Sequence, residues 1–376
     1  MSSANEQVIP GLEGVLACES SVAFIDGTIP ELSYRGYNIH NIAETLTYEQ
    51  VVYLLWHGEL PSPDQFRPFQ SDLAARRGLP SVVIDLLRLM PPSAPPMAGL
   101  RTAVSLLGTL DPQADDNGPE DLRRKAADLT AKMPTIVAAQ ARLQMGQAPI
   151  EPDASLSLAS NYYYMLTGKQ PDATITRTID TSLLLYAEHE TNASTFTCRA
   201  VVGTESDFYS AVVAGLGAIK GPLHGGAIDE VMKMFLEIDQ PEGAAAYIDQ
   251  ALAARRKIPG FGHRVYRAGD ARAPHLRTMA QRLAESTGDG KWFSIATTVE
   301  QRMREAKGII ANVDYYAAPV LYYLGFPLAL FTNVVASARI SGWSAHIFEQ
   351  YANNRLIRPR ALYTGHRGRQ LPPGYR

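Results

Sequence analysis

The sequence predicts a mainly α-helical (all-α) fold opened by one short β-hairpin. Three observations carry this. Apolar residues recur at helical spacing along most of the chain, as at Ala227, Ile228, Val231, Met232, Met234, Phe235 and Ile238. Strand-like runs, "SSVAFI" and "IPELSY", are confined to the start and flank Asp26-Gly27, a two-residue hairpin signal. Beyond them strands and helices do not alternate, which excludes a Rossmann or barrel fold.

In chain order, "TYEQVVYLLWHGELP" reads as a helix with Thr47 as N-cap and an end at Gly58 and Pro61. "MPTIVAAQARLQMGQ" places Pro134 near a first helical turn and Gly146 past the last. Further helices are expected over 176–202, 207–219, 226–238, 243–257, 273–287, 297–310 and 328–350. Loops are expected at 91–96, 111–119 and 286–291.

The 376 residues exceed one simple core, so two domains or one large domain with an insertion are expected. With 35 Lys and Arg against 38 Asp and Glu, the formal charge of −3 argues against nucleic-acid binding as the global role. Cys18 and Cys198 are too few for a disulfide framework, and "MSSANEQVIPGLEG" lacks a signal-peptide pattern, so a reducing cytoplasm is the expected compartment. The longest apolar tract, "AAPVLYYLGFPLALF", is broken by Gly325 and Pro327 and is too short for a membrane span.

Four stretches could carry chemistry. In "AIKGPLHGGAIDEV", His224 stands at the mouth of a helix, either as a capping or core histidine or as a titratable ring held beside bare backbone. Between Asp314 and Glu349 the one formally charged residue is Arg339, whose guanidinium in so apolar a helix needs an anion. That anion is either a distant carboxylate of the chain or a ligand carboxylate gripped through two parallel hydrogen bonds. Asp314, in "IIANVDYYAAPVL", is either a helix cap or a desolvated base. Residues 254–272 gather Arg255, Arg256, Lys257, Arg264, Arg267 and Arg272 around His263 and the loop Pro259-Gly260-Phe261-Gly262. Such a run is a solvated face or a site for a nucleotide with several phosphates, though it matches neither phosphate-loop pattern. His189 beside Glu190 is not the start of a zinc helix, because Ala193 stands four residues on, and no other His or Cys grouping has metal spacing.

Taken together, "HETNASTF", "DFYSAVVAGLGAIKGPLHGGA", "PGFGHRVYRAGDAR", "NVDYYAAPVLYYLGFP" and "NNRLIRPRALYTG" resemble the citrate synthase family, as do "YRGYNIHNIAE" and "TYEQVVYLLWHGELP". The likeness runs from about Gly14 to Gly365. It implies a homodimer of two-domain helical subunits, with higher assembly left open. The large domain would span 1–227 and 320–376 and the small domain 228–319, with the active site in the cleft between them. The implied activity joins acetyl-CoA to oxaloacetate and hydrolyses the citryl thioester to citrate and CoA, with no metal and no cofactor.

The resemblance also implies roles. Asp314 is the base, His224 the neutral donor to the thioester oxygen, and His263 the group that polarises the oxaloacetate ketone. His189, Arg272, Arg339 and Arg358 hold the oxaloacetate and citrate carboxylates, with Arg358 reaching the neighbouring subunit's site. Arg267, Lys257, Arg256, Gly260, Phe261 and Gly262 would embrace CoA, and Gly225 and Gly226 would let substrate approach the backbone. Where the family usually has Asp-Pro-Arg, this chain has Asp270-Ala271-Arg272, a change expected to loosen that loop. The nearest alternative is a 2-methylcitrate synthase using propionyl-CoA; a catalytically dead CoA-binding scaffold has no need of both histidines and Asp314. No N-terminal β domain of the kind found in NADH-inhibited relatives is evident, so no NADH site is expected.

Overall fold

Three short strands open the computed structural model, which describes residues 8–91, 93–263 and 265–374. They are β1 (Ala23–Asp26), β2 (Glu31–Tyr34) and β3 (Tyr37–Asn38), antiparallel in the order β1-β2-β3. The expected hairpin is β1–β2, and β3 extends it to a three-stranded sheet. Asp26 pairs with Glu31, so residues 27–30 form a four-residue loop, and Asp26 Oδ1 accepts from the Thr28 amide at 2.8 Å and hydroxyl at 2.6 Å. The two-residue turn comes one strand later, between Tyr34 and Tyr37. There Arg35 (φ 48°) and Gly36 (φ 85°) both adopt the left-handed backbone that a type I′ turn requires.

Sixteen α-helices follow among the described residues: α1 (Ile39–Thr45), α2 (Tyr48–His57), α3 (Pro63–Ala75), α4 (Ser81–Leu89), α5 (Pro96–Leu110), α6 (Pro119–Gln144), α7 (Leu158–Thr167), α8 (Ala173–Tyr186), α9 (Ala193–Val202), α10 (Phe208–Ile219), α11 (Ala227–Ile238), α12 (Ala244–Ala253), α13 (Ala273–Thr287), α14 (Lys291–Lys307), α15 (Val313–Tyr323) and α16 (Phe331–Ala352). Helix α2 begins and ends where its signals lie. Thr47 and Gln50 form a reciprocal capping box, and Gly58 closes the helix at φ 85°.

Other boundaries differ from expectation for local reasons. Pro134 lies inside α6, not in a first turn; Pro119, followed by Glu120 and Asp121, is the actual start. The expected 176–202 helix breaks at 187–192, where Asn192 caps α9 by accepting from the Thr195 amide. Helix α12 stops at Ala253, leaving Arg255 (φ 55°), Arg256 and Lys257 in the loop beyond, and α14 covers 291–307 where 297–310 was expected. Residues 1–7, Pro92 and Arg264 fall outside the described residues, and with them part of the N-terminal, 91–96 and basic-segment readings.

Helix α16 explains why the chain tolerates so apolar a run. It is buried nearly all round, packed by α2, α5, α6, α8, α9 and α10, and its N-terminal end meets α11. Helices α11 to α15 pack on one another, α15 lying against α11, α13 and α14. The expected 319/320 division falls within α15. No helix among the described residues is long and apolar enough to cross a membrane.

Candidate active site

The break between α8 and α9 creates the centre of the site. It turns the chain through Glu190 (φ 54°) and leaves His189 buried, its ring 5.2 Å from that of His263 and 5.6 Å from that of Tyr266. His189 Nε2 is buried without a hydrogen-bond partner, a cost of about 1–3 kcal/mol that a ligand atom would remove. Burial and the Arg272 charge hold the ring neutral, well below its ordinary pKa.

His224 stands in the turn between α10 and α11, two glycines ahead of Ala227. Those glycines are required by the turn itself. A Cβ on Gly225 would lie 2.6 Å from the Ile219 carbonyl, and one on Gly226 would lie 3.2 Å from the Pro222 Cα. The imidazole Nε2 lies 2.8 Å from Ser194 Oγ and 3.4 Å from the Ser194 amide. An amide can only donate, so Nε2 accepts and the ring proton rests on Nδ1. Burial first, then the Arg339 charge, push the pKa down to about 4, so His224 presents a neutral Nδ1–H.

The same logic fixes His263 in the opposite tautomer. The amides of Val265 and Tyr266 donate to Nδ1 at 3.0 and 3.1 Å, so the proton lies on Nε2. Burial and Arg272 lower its pKa to about 4. Its loop is fastened to the start of α15: Asn312 donates through its amide to the Gly260 carbonyl at 2.9 Å and through Nδ2 to the Gly262 carbonyl at 3.0 Å. Gly260 needs to be glycine, because its φ is 79° and a Cβ would meet Tyr315 at 2.7 Å.

Asn312 is also the N-cap of α15, accepting from the Asp314 amide at 3.1 Å, so Asp314 is not the helix cap. Tyr186 Oη donates to Asp314 Oδ1 at 2.8 Å. Burial raises the Asp314 pKa to about 6, opposed by that hydrogen bond and by Arg272. Asp314 is thus ionised at neutral pH yet a stronger base than an exposed carboxylate.

The two buried arginines differ. Arg272 arrives paired, its Nε and Nη2 donating to Asp270 at 2.9 and 2.8 Å, so Nη1 is what it offers a ligand. Asp270 also accepts from the Arg272 and Val313 amides, at 3.1 and 3.0 Å. These bonds hold the Asp270-Ala271-Arg272 loop without the proline. Arg339 donates through Nε to the Tyr186 carbonyl at 2.6 Å and makes no ion pair among the described residues. No carboxylate of the described residues comes within ion-pair distance of Arg339, which leaves the guanidinium open to a ligand carboxylate.

The other expected residues lie apart from this cluster. Arg256 stacks 5.2 Å over the Tyr247 ring and is exposed, as are Lys257 and Arg267. The Arg267 amide donates to the Gly27 carbonyl at 2.9 Å, and a Cβ on Gly27 would collide with the Val265 carbonyl, so the β1–β2 loop buttresses the His263 loop. Phe261 packs 4.7 Å from Tyr315 and bridges to Ala311. Arg358 is exposed in the segment after α16. No group of three His, Cys, Asp or Glu among the described residues could hold a metal ion.

The cluster thus unites a buried carboxylate, two neutral imidazoles with opposite tautomers and two buried guanidiniums. This arrangement suits proton abstraction beside a carbonyl on a carboxylate-bearing partner. The sequence reading missed Tyr186, whose signal was a tyrosine closing an apolar helix three residues before His189. Tyr186→Phe is expected to raise the Asp314 pKa, because it removes a donor to the ionised form. The acid limb of kcat/KM, expected near pH 6 in the wild type, should then shift upward; an unmoved limb in the pH profile would sever Tyr186 from the base.

Comparison with known proteins gives a concordant picture. Residues 11–360 match the family model described as "Citrate synthase, C-terminal domain". The chain is 46% identical to citrate synthase 2 of Bacillus subtilis over 357 residues, covering 94% of this chain and 95% of that one. It is 40% identical to 2-methylcitrate synthase 1 of Corynebacterium glutamicum, covering 98% of each. Its fold matches the ternary complex of carboxymethyl coenzyme A and oxaloacetate with citrate synthase from Thermoplasma acidophilum. There the TM-score is 0.93 and the identity 32%, over 98% of this chain and 99% of that one.

Proposed function

Because the chain belongs to the citrate synthase family, we propose that it condenses acetyl-CoA with oxaloacetate and hydrolyses citryl-CoA to citrate and CoA. The observation that carries this reading is Asp314, a buried base that shares its site with two imidazoles locked as neutral donors by backbone amides.

In this mechanism Arg339, the free Nη1 of Arg272 and His189 take the oxaloacetate carboxylates, joined by Arg358 of a neighbouring subunit in a homodimer. His263 Nε2–H then polarises the ketone. Asp314 removes a proton from the acetyl methyl group while His224 Nδ1–H stabilises the negative charge forming on the thioester oxygen. One such oriented donor is typically worth about 3–4 kcal/mol of barrier. The enolate carbon attacks the ketone carbon, and His263 protonates the new alkoxide. Water then adds to the thioester carbonyl, one of its protons restoring Nε2–H on His263; the C–S bond breaks and CoA leaves as the thiol with the proton that Asp314 had taken. Arg256, Lys257 and Arg267 lie on the exposed face where CoA phosphates would be met, beside the turn at Gly260, Phe261 and Gly262. Neither a metal nor a further cofactor enters this chemistry.

A second reading, 2-methylcitrate synthesis from propionyl-CoA, is favoured by the similarity to the Corynebacterium enzyme. One methylene changes discrimination by about 10–200-fold. A thiol-release assay with oxaloacetate and a series of acyl-CoAs separates the two readings. The expected result is a higher kcat/KM for acetyl-CoA than for propionyl-CoA; the reverse order would make the enzyme a 2-methylcitrate synthase.

A further inference from the structure

Beneath the site lies a second charged cluster with no part in the steps above. Glu188 is fully buried, one residue before His189. Its Oε1 is 3.0 Å from His346 Nε2, and Arg199 Nη1 is 3.1 Å from His346 Nδ1. A guanidinium only donates, so Nδ1 accepts and the ring proton lies on Nε2, donated to Glu188. Arg199 has its own carboxylate in Glu349, at 3.2 Å. Glu188 is left with one neutral donor, and its Oε2 is buried without a partner.

That carboxylate faces the helix that carries Arg339. A Cβ on Gly342, one turn after Arg339, would collide with Glu188 Oε2, and the Gly342 amide donates to the Ala187 carbonyl at 3.2 Å. Arg339 itself is anchored on the Tyr186 carbonyl. Residues 186–188 therefore run along the face of α16 from Arg339 to His346, with an unpaired carboxylate and a guanidinium without an ion pair buried on the same contact.

We propose that Glu188 is a positioning residue that sets substrate affinity: its carboxylate is the counter-charge of Arg339 until a substrate carboxylate takes the guanidinium over. Of the charges acting on Arg339, Glu188 is the one that most stabilises its cationic form. The arrangement keeps Arg339 charged and buried in the empty enzyme, where an uncompensated cation would be costly. It also opposes the incoming anion, so affinity is lower than Arg339 alone would give. This rests on the reading of Arg339 as a carboxylate-binding residue.

The test is calorimetric titration of oxaloacetate into the wild type, Glu188→Gln and His346→Gln, with melting temperatures and steady-state kinetics beside it. Glu188→Gln keeps the shape and removes the charge. It should bind oxaloacetate about tenfold tighter, the order of effect expected when one like charge acting through protein is removed. Its oxaloacetate KM should fall without a rise in kcat. His346→Gln, which keeps every charge, should leave affinity at the wild-type level. A merely architectural Glu188 predicts the opposite: weaker binding in both variants, tracking their loss of melting temperature. Equal or weaker binding by folded Glu188→Gln overturns the proposal. So does failure of both Glu188→Gln and Glu188→Ala to fold, which would make the carboxylate a requirement of the fold. A wild type that does not bind oxaloacetate takes the functional reading down too, whereas an unshifted Glu188→Gln beside a binding wild type sinks this inference alone.

Discussion

Asp314→Asn is expected to lower kcat by about 10³- to 10⁴-fold while oxaloacetate still binds. The side-chain oxygen of asparagine can accept from Tyr186 Oη as Asp314 Oδ1 does at 2.8 Å, so the orientation survives. What is lost is the basicity that burial confers by lifting the pKa to about 6. The carboxylate-binding groups lie on other elements: Arg339 on α16, His189 between α8 and α9, and Arg272 at the start of α13. They are untouched by the change. Single-turnover kinetics paired with oxaloacetate calorimetry measure both halves. If affinity collapses along with kcat, Asp314 is a structural carboxylate, and the base has to be sought elsewhere.

Much of this site was legible in the residues, and the reasons are physical. Arg339 stands out because a lone charge in a long apolar run needs an anion, and the structure buries it without an ion pair among the described residues. His224 stood out because glycines and a helix start surround it. Its tautomer was not legible, since that depends on where the Ser194 amide points after α9 packs against α16. Tyr186, Glu188, Asp270 and Asn312 escaped for the same reason: each acts on a residue that only tertiary packing brings near, or on a loop closed by a single carboxylate. The break at 187–192 is masked in the sequence because apolar residues on both sides keep helical spacing; its one local signal is Asn192, a strong N-cap. The hairpin lies where its two strand-like runs put it, but its turn differs: Asp26-Gly27 opens a four-residue loop, whereas Arg35-Gly36 is the pair with two positive φ angles.

The other large effect concerns Arg358, which the structure leaves exposed in the segment following α16. Leu356, Leu362 and Tyr363 flank it and are exposed too, an apolar run that a second subunit would cover. In a two-fold dimer, a segment that carried Arg358 to its neighbour would be matched by one from that neighbour, giving two composite sites. Asp314→Asn and Arg358→Ala should each be nearly inactive as pure dimers. When the two variants are unfolded together and refolded as a mixture, about half the dimers pair unlike chains if assembly is random. If Arg358 acts in trans, each mixed dimer concentrates both lesions in one site and leaves the other intact, so about a quarter of wild-type activity returns. If it acts in cis, every site of a mixed dimer keeps one lesion and no activity returns. Native mass spectrometry establishes the fraction of mixed dimers; efficient mixing with no activity above the separate variants would refute the shared site and confine Arg358 to its own chain.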